Sequence, residues 1–420
     1  MSRVVGLRCA VCGATVDIGV THPWRCPRAG ADRRHVLRIV RAPGPFEPGD
    51  DANPFVAYAA ESAWAAYAEA HGMRPEARSA LVLELDAAVA DVAGTGFRRT
   101  PLNRNAALSD ALGFSAQGGV WVKDETGNVA GSHKARHLLP ILLHLRAAEV
   151  LGRSGTVRPP LAIASCGNAA LAAATLAAAV RWPIAVHVPP DANPAVLARL
   201  TTLGAQVVTC PRRDDDPPGD PCVHRFREAV AAGAIPFSVQ GPENALCLDG
   251  GRTLGFEIVE RLGDAFDRVF VQVGGGALAT GIGDALAVAG IGRPVHAVQT
   301  EACAPLARAW TAAAAFGDDA PAHWAACMWP WEHVGASAAS GILDDETYDW
   351  IGVVDAMAHT GGSPVVAGEE HIVEAHRLAH AHTGIDVSPT GSAGLAGVLA
   401  IRDRIADAER VVVVFSGVRR

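Results

Sequence analysis

A chain of 420 residues, 50% hydrophobic and 19% charged, is long enough for two or three domains and a sizeable buried core. Its formal net charge of −8, with no like-charge block beyond the short run Asp214–Asp216, argues against a nucleic-acid or anionic-membrane partner. The N-terminus MSRVVGLRCAVC lacks the apolar run of a signal peptide, and apolar stretches elsewhere break before membrane-spanning length, so a soluble cytoplasmic protein is expected. Nine cysteines, an odd number scattered along the chain, suit reduced thiols better than a disulfide framework.

In chain order, residues 1–45 form a cysteine segment with Cys9, Cys12 and Cys26 in a CAVC…C arrangement, followed by His35. A closed structural zinc site wants four ligands, and Ala29 stands where a second C-x-x-C would place the fourth cysteine. His35 can complete a Cys₃His set, with His22 as its substitute; a metal-free knuckle packed by Trp24 is the alternative. The Pro- and Gly-rich linker RAPGPFEPGDDANP follows, then alanine-rich helical patterns over Phe55–His71 and Glu76–Val92.

From about Trp121 short β-branched runs alternate with helical ones. LAIAS (161–165), IAVHV (184–188), AQVVT (205–209), RVFVQV (268–273), VHAVQT (295–300) and RVVVVF (410–415) read as buried strands separated by helices. The fold class is therefore α/β with mostly parallel sheets, in which ligands bind beyond the carboxyl ends of the strands.

Unusual residues cluster at such places. GSHKARH (131–137) puts Lys134 where a loop becomes a helix, flanked by Ser132 and His133. After LAIAS come Ser165-Cys166-Gly167-Asn168, where Asn168 can also serve simply as a helix cap. After RVFVQV come Gly274-Gly275-Gly276-Ala277-Leu278, whose backbone N–H groups at a helix start suit a phosphate. Ser416 follows the last strand. Gly274, Gly276 and Ala279 with Glu301 also fit a nicotinamide-dependent dehydrogenase, a reading that leaves Lys134 and Asn168 without a role.

GSHKARH, ASCGNAALA, VGGGALATG and VVVVFSG, in that order over roughly residues 95–420, resemble the fold-type II pyridoxal-phosphate enzymes, the threonine synthase and threonine dehydratase group of the tryptophan synthase β superfamily. LRCAVCG is similar to the cysteine knuckle that begins many threonine synthases. The resemblance implies two three-layer α/β/α subdomains, the smaller at about 155–245 inserted in a larger one at about 95–154 and 246–420. It implies pyridoxal 5'-phosphate held by Lys134 as a Schiff base, Lys134 then moving the substrate's α-proton. Gly274–Leu278 would hold the phosphate, Asn168 the 3′ oxygen and Ser416 the ring nitrogen. Ser132 would relay protons and His133 lie near the phosphate, whereas Arg136 and His137 are expected to be structural. Ser165, Cys166, Gly167 and Glu301 are candidates for substrate contact.

A neutral hydroxyl at the ring nitrogen suits elimination, so an ammonia-lyase of the threonine or serine dehydratase kind, acting on a hydroxy or activated amino acid, is expected. K-A-R after the lysine position favours that class. Gly250-Gly251-Arg252-Thr253 looks more like the synthases, which leaves a threonine synthase-like or β-replacement enzyme as the alternative, and a catalytically silent pyridoxal-phosphate binder as a remote one. A homodimer is the family's usual state.

Overall fold

The computed structural model describes residues 2–30 and 32–420. Among these it contains thirteen strands: β1 (Val4–Cys9), β2 (Thr15–Asp17), β3 (Leu37–Arg41), β4 (Leu102–Asn105), β5 (Gly119–Asp124), β6 (Leu161–Ala164), β7 (Ile184–Val188), β8 (Gln206–Thr209), β9 (Ile235–Pro236), β10 (Arg268–Gln272), β11 (Val295–Thr300), β12 (Pro364–Ala367) and β13 (Arg410–Phe415). The chain forms two compact units, Met1–Arg98 with Asn128–Gly250, and Arg99–Gly127 with Gly251–Arg420. No helix among the described residues is long and apolar enough to cross a membrane.

The first unit carries two sheets. A small antiparallel one has the order β2-β1-β3, and a parallel one has the order β8-β7-β6-β9. The helices Lys134–Val150 and Asn168–Ala179 pack on each other, and alanine along the second lets the two backbones approach. Residues 1–45 join this unit because their apolar side chains are covered by it. Leu7, Cys9, Cys26 and Leu37 cluster with Ala245, and Trp24 meets the His144 ring edge-on at 5.4 Å. The units thus group the segments differently from the sequence boundaries, which set 1–45 apart and separated 155–245 from the Lys134 helix.

The expected helix Phe55–His71 is broken. Asn53 caps a short helix, Pro54–Ala57, and a second helix, Ala63–Ala70, starts afresh after a 3₁₀ turn. Asp249 fixes that second start by accepting the Ser62 hydroxyl at 2.6 Å and the Ala63 N–H at 2.8 Å, a cap supplied from far along the chain. The predicted helix Glu76–Val92 is present as Pro75–Ala93 and ends at Gly94 in the left-handed region.

The second unit is built on a six-stranded sheet, β12-β11-β10-β13-β5-β4, parallel except for the β4–β5 pair. Val411 to Phe415 are fully buried, as a strand covered on both faces requires. Helices Glu369–Thr383 and Pro389–Ala400 cover one side, and Gly394 and Gly397 lie where a Cβ would meet Phe270 or Val298. The carboxyl ends of β10 and β13, neighbours in this sheet, carry the glycine run and Ser416 side by side.

Candidate active site and cysteine cluster

In the first unit Lys134 is the first residue of the helix Lys134–Val150. The chain reaches it through Ala130 and Gly131, both in left-handed backbone conformations (φ 55° and 68°). Such a conformation costs a non-glycine residue free energy, which makes Ala130 a strained position beside the lysine. Ser132 and His133 are buried and Lys134 half-buried, and the Lys134 N–H faces the Ser132 hydroxyl at 3.4 Å.

One turn on, His137 donates through Nδ1 to the Cys247 carbonyl at 2.8 Å, because a carbonyl only accepts. Complete burial, reinforced by the Lys134 charge, pushes its pKa down to about 3. His137 is therefore a neutral packing residue, and His133 meets it edge-on at 5.4 Å. Pro140, inside the same helix, removes the N–H that would bond the Arg136 carbonyl. Gly250 sits against that carbonyl, and a Cβ there would overlap the oxygen.

The loop after β6 places Ser165, Cys166, Gly167 and Asn168 at the start of the helix Asn168–Ala179, with Cys166 exposed. Gly167, not Asn168, occupies the cap position, so Asn168 is the first residue of the helix and its side chain is not the cap. Ser165 accepts the Gly167 N–H at 3.4 Å. The helix packs against both the Lys134 helix and the Val129–Gly131 turn that leads to it. Lys134 and the Ser165–Asn168 loop therefore belong to one packed group of elements.

In the second unit the chain leaves β10 through Val273 into Gly274-Gly275-Gly276, and Gly276, at φ 96°, caps the helix Ala277–Val288. A Cβ on Gly276 would lie 3.0 Å from a Thr347 methyl and 3.1 Å from Val353. One on Gly274 would lie 3.0 Å from the Ile342 Cα and overlap the Asp344 carboxylate. Neighbouring residues thus close the sides on which side chains would project, and the loop can offer only backbone N–H groups and a helix N-terminus. Ser416 is buried beside it, and Gln272, the last residue of β10, bonds its hydroxyl at 2.5 Å. Sequence reasoning passed over Gln272; the available signal was an amide ending an otherwise apolar strand. Glu301 is exposed after β11 and accepts the Glu369 N–H at 3.4 Å, at the start of a helix.

Cys9, Cys12, Cys26 and His35 converge so that their ligand atoms all lie within 4.8 Å of one another. Cys12 and Cys26 sulfurs are 3.6 Å apart, and Cys9 Sγ is 3.3 Å from His35 Nδ1. Bonds of about 2.3 Å to zinc in a tetrahedron put sulfurs about 3.8 Å apart, so the spacing fits that ion. Burial, aided by the neighbouring thiols, pushes the Cys26 thiol up to about 12. At Cys12 the burial effect is outweighed by hydrogen bonds from the Ala14 backbone and the other two thiols and by the Arg28 charge, and the pKa is lowered. His22 is not in the cluster; its ring lies 5.6 Å from that of Trp24.

Taken one at a time, the units hold donors suited to pyridoxal phosphate: the first an amine at a helix start, the second a cradle of backbone amides and a buried hydroxyl at the end of the adjoining strand. Comparison with known proteins agrees. Threonine synthase of Bacillus sp. (strain ULM1) is 24% identical over 326 residues, covering 74% of this chain and 82% of the relative. A threonine deaminase from T.th. superposes with a TM-score of 0.61 at 24% identity, over 81% of this chain and 98% of that one. Maize serine racemase superposes at 0.60 with 17% identity, over 80% and 92%. Residues 94–417 match the family described as pyridoxal-phosphate dependent enzyme, which displaces the nicotinamide alternative for the glycine loop, and the chain belongs to that family.

Proposed function

We propose that the protein catalyses α,β-elimination from a hydroxy or activated amino acid, as an ammonia-lyase of the threonine or serine dehydratase kind. The observation that carries this reading is the buried Ser416 hydroxyl at the carboxyl end of β13, bonded to the neutral amide of Gln272. A neutral hydroxyl does not enforce a positive charge on a ring nitrogen, which favours rapid loss of a leaving group. Bound pyridoxal phosphate supplies the electron sink for the pair left when an amino acid loses its α-proton.

In this reading Lys134 holds the cofactor and its amine takes the proton from the substrate's α-carbon; Ser132, next to it, relays a proton to the departing group. Gly274 to Leu278 bind phosphate through backbone N–H groups, with His133 near the phosphate and Asn168 donating to the 3′ oxygen. Ser165, Cys166 and Gly167, at the start of a twelve-residue helix, receive the substrate carboxylate, which the helix dipole favours. Glu301, which caps a helix, has a contact of its own and is the weakest of the substrate candidates.

Borohydride reduction followed by peptide mass analysis marks Lys134 if the reading is right, and marks no lysine or another one if it is wrong. A screen of serine, threonine and their O-phospho and O-acetyl derivatives for keto acid and ammonia then tests elimination. The second reading, a threonine synthase-like replacement, draws on the Bacillus relative's name and predicts a new amino acid in place of a keto acid. We propose in addition a structural zinc on Cys9, Cys12, Cys26 and His35, and assembly as a homodimer in the cytoplasm.

A further inference from the structure

Three guanidiniums of the first unit converge on a single carboxylate. Glu243, in the loop between β9 and the helix Leu246–Leu262, is fully buried. Its Oε1 accepts the Arg227 Nε–H at 2.6 Å, and its Oε2 lies 3.5 Å from the Arg33 Nε without the alignment of a hydrogen bond. Arg25 stands within electrostatic reach of Glu243 and of both other arginines, and its Nη1 is buried with no hydrogen-bond partner. One carboxylate therefore faces three cations, an excess of two positive charges in a part-buried place, where uncompensated charge is costly. Guanidinium N–H groups only donate, so the missing partner is an acceptor, and the excess calls for a negative one.

Residues 1–45, which carry Arg25 and Arg33, hold eight arginines against two aspartates in a chain whose net charge is −8. This cationic region draws anions that the rest of the chain repels. The Arg33 and Arg227 side chains keep 16% and 26% of their surface in solvent, which leaves the cluster an opening above Glu243. We propose that Arg25, Arg33 and Arg227 form a binding site for a phosphate dianion, free or as the terminal phosphate of a small molecule. Two charges match the excess, and tetrahedral oxygens can accept from three guanidiniums at once. The bound anion joins the cysteine segment, which supplies Arg25 and Arg33, to the helix Pro221–Ala231, which supplies Arg227. The site shares no residue with the glycine run of the second unit.

The test uses the full chain saturated with pyridoxal phosphate, so that the cofactor's own phosphate site is filled. Inorganic phosphate is the probe, titrated by calorimetry against a chloride control of equal ionic strength. Melting curves in the two salts give a second reading, since an anion that binds only the folded state raises the melting temperature. The wild type is expected to bind one phosphate per chain and to melt higher in phosphate than in chloride. Arg25→Gln is expected to weaken binding by about tenfold or more, as loss of a charged hydrogen bond does, and to abolish the rise in phosphate while melting in chloride no lower than the wild type. Arg227→Lys, which keeps the charge and loses the forked donor, should also weaken binding and keeps the test open if Arg25→Gln fails to fold. Arg28→Gln, at an exposed arginine outside the cluster, should bind as the wild type does. Glycerol phosphate separates the sources: binding of both probes assigns a phosphate ester, and binding of inorganic phosphate alone assigns the free ion. A wild type indifferent to phosphate overturns the proposal, as does binding undiminished in the folded Arg25 or Arg227 variant. An Arg25→Gln protein that loses stability equally in both salts also overturns it, because that is the mark of a residue that only holds the fold.

Discussion

Replacing Gly250 by alanine sets two effects of opposite sign against each other. Gly250 is the fifth residue of the helix Leu246–Leu262, and in an exposed helix the change would gain about 1 kcal/mol from propensity. Here a Cβ would stand 2.7 Å from the Arg136 carbonyl carbon and 2.9 Å from the His137 Cα, and closer still to the Arg136 oxygen. Carbon atoms pack best at about 3.5–4.0 Å, so the two backbones must separate by roughly 0.8 Å or more. None of the obstructing atoms belongs to a side chain that can rotate away. Overpacking of this kind costs about 1–3 kcal/mol, and backbone obstruction puts this site at the upper end. The net expectation is a loss of about 1–2 kcal/mol. Urea unfolding followed by far-UV circular dichroism should show a lower midpoint at unchanged slope. Gly292→Ala, where a Cβ meets nothing within 4 Å, is the control and should leave the midpoint nearly unmoved. A Gly250→Ala midpoint above that of the wild type would show that propensity wins and that the helix contact is not tight.

Acid should destabilise the first unit through His137 and His144, whose pKa values burial lowers to about 3 and about 4 from 6.5. Both stay neutral when folded and bind protons when unfolded, so their stabilisation is complete above pH 6.5 and falls as pH drops toward the folded values, by roughly 1 kcal/mol per pH unit for each imidazole. His144→Gln should flatten the stability profile between neutral pH and about pH 5, and an unchanged slope would refute the assignment. Lys123→Met should cost about 3–5 kcal/mol, because Lys123 is fully buried and paired with the buried Glu257, with Glu125 buried nearby through Thr100. A soluble variant of wild-type unfolding midpoint would contradict that cost. Purified protein should contain one zinc per chain, lost in Cys26→Ser, and chelation should lower its melting temperature; a metal-free protein indifferent to chelator would dismiss the site.

Three buried strands were legible to the residue, IAVHV, VHAVQT and RVVVVF coinciding with β7, β11 and β13, and the edge strand β8 was legible too because AQVVT is rich in β-branched residues. β4, with the sequence LNRN, was invisible because it has no β-branched residue and buries only Leu102. The break in Phe55–His71 was hidden for another reason, since its cap is Asp249 and no local pattern announces a cap supplied across nearly two hundred residues. Motif residues were legible because their chemistry is unusual for their position: three glycines at a helix start, and a lysine where a loop ends. Gln272 was not, since its meaning depends on two carbonyls and a hydroxyl contributed by other segments.

The edge-on contact between Trp24 and His144 bears on where this protein could be cut. The His144 ring also lies tilted against that of Tyr67 at 4.1 Å and bonds the Thr21 carbonyl at 2.7 Å, so two early segments, around Thr21–Trp24 and in Ala63–Ala70, meet the lysine's helix. A chain shortened to start at residue 94, where the family match begins, would retain the Lys134, Asn168, glycine-run and Ser416 motifs yet strip those contacts. It would remove the helices Ala63–Ala70 and Pro75–Ala93, both of which pack on Lys134–Val150. The stretch matched by the family and the stretch packed around the lysine's helix therefore differ here, and the N-terminal segment belongs to the packing on which Lys134 stands.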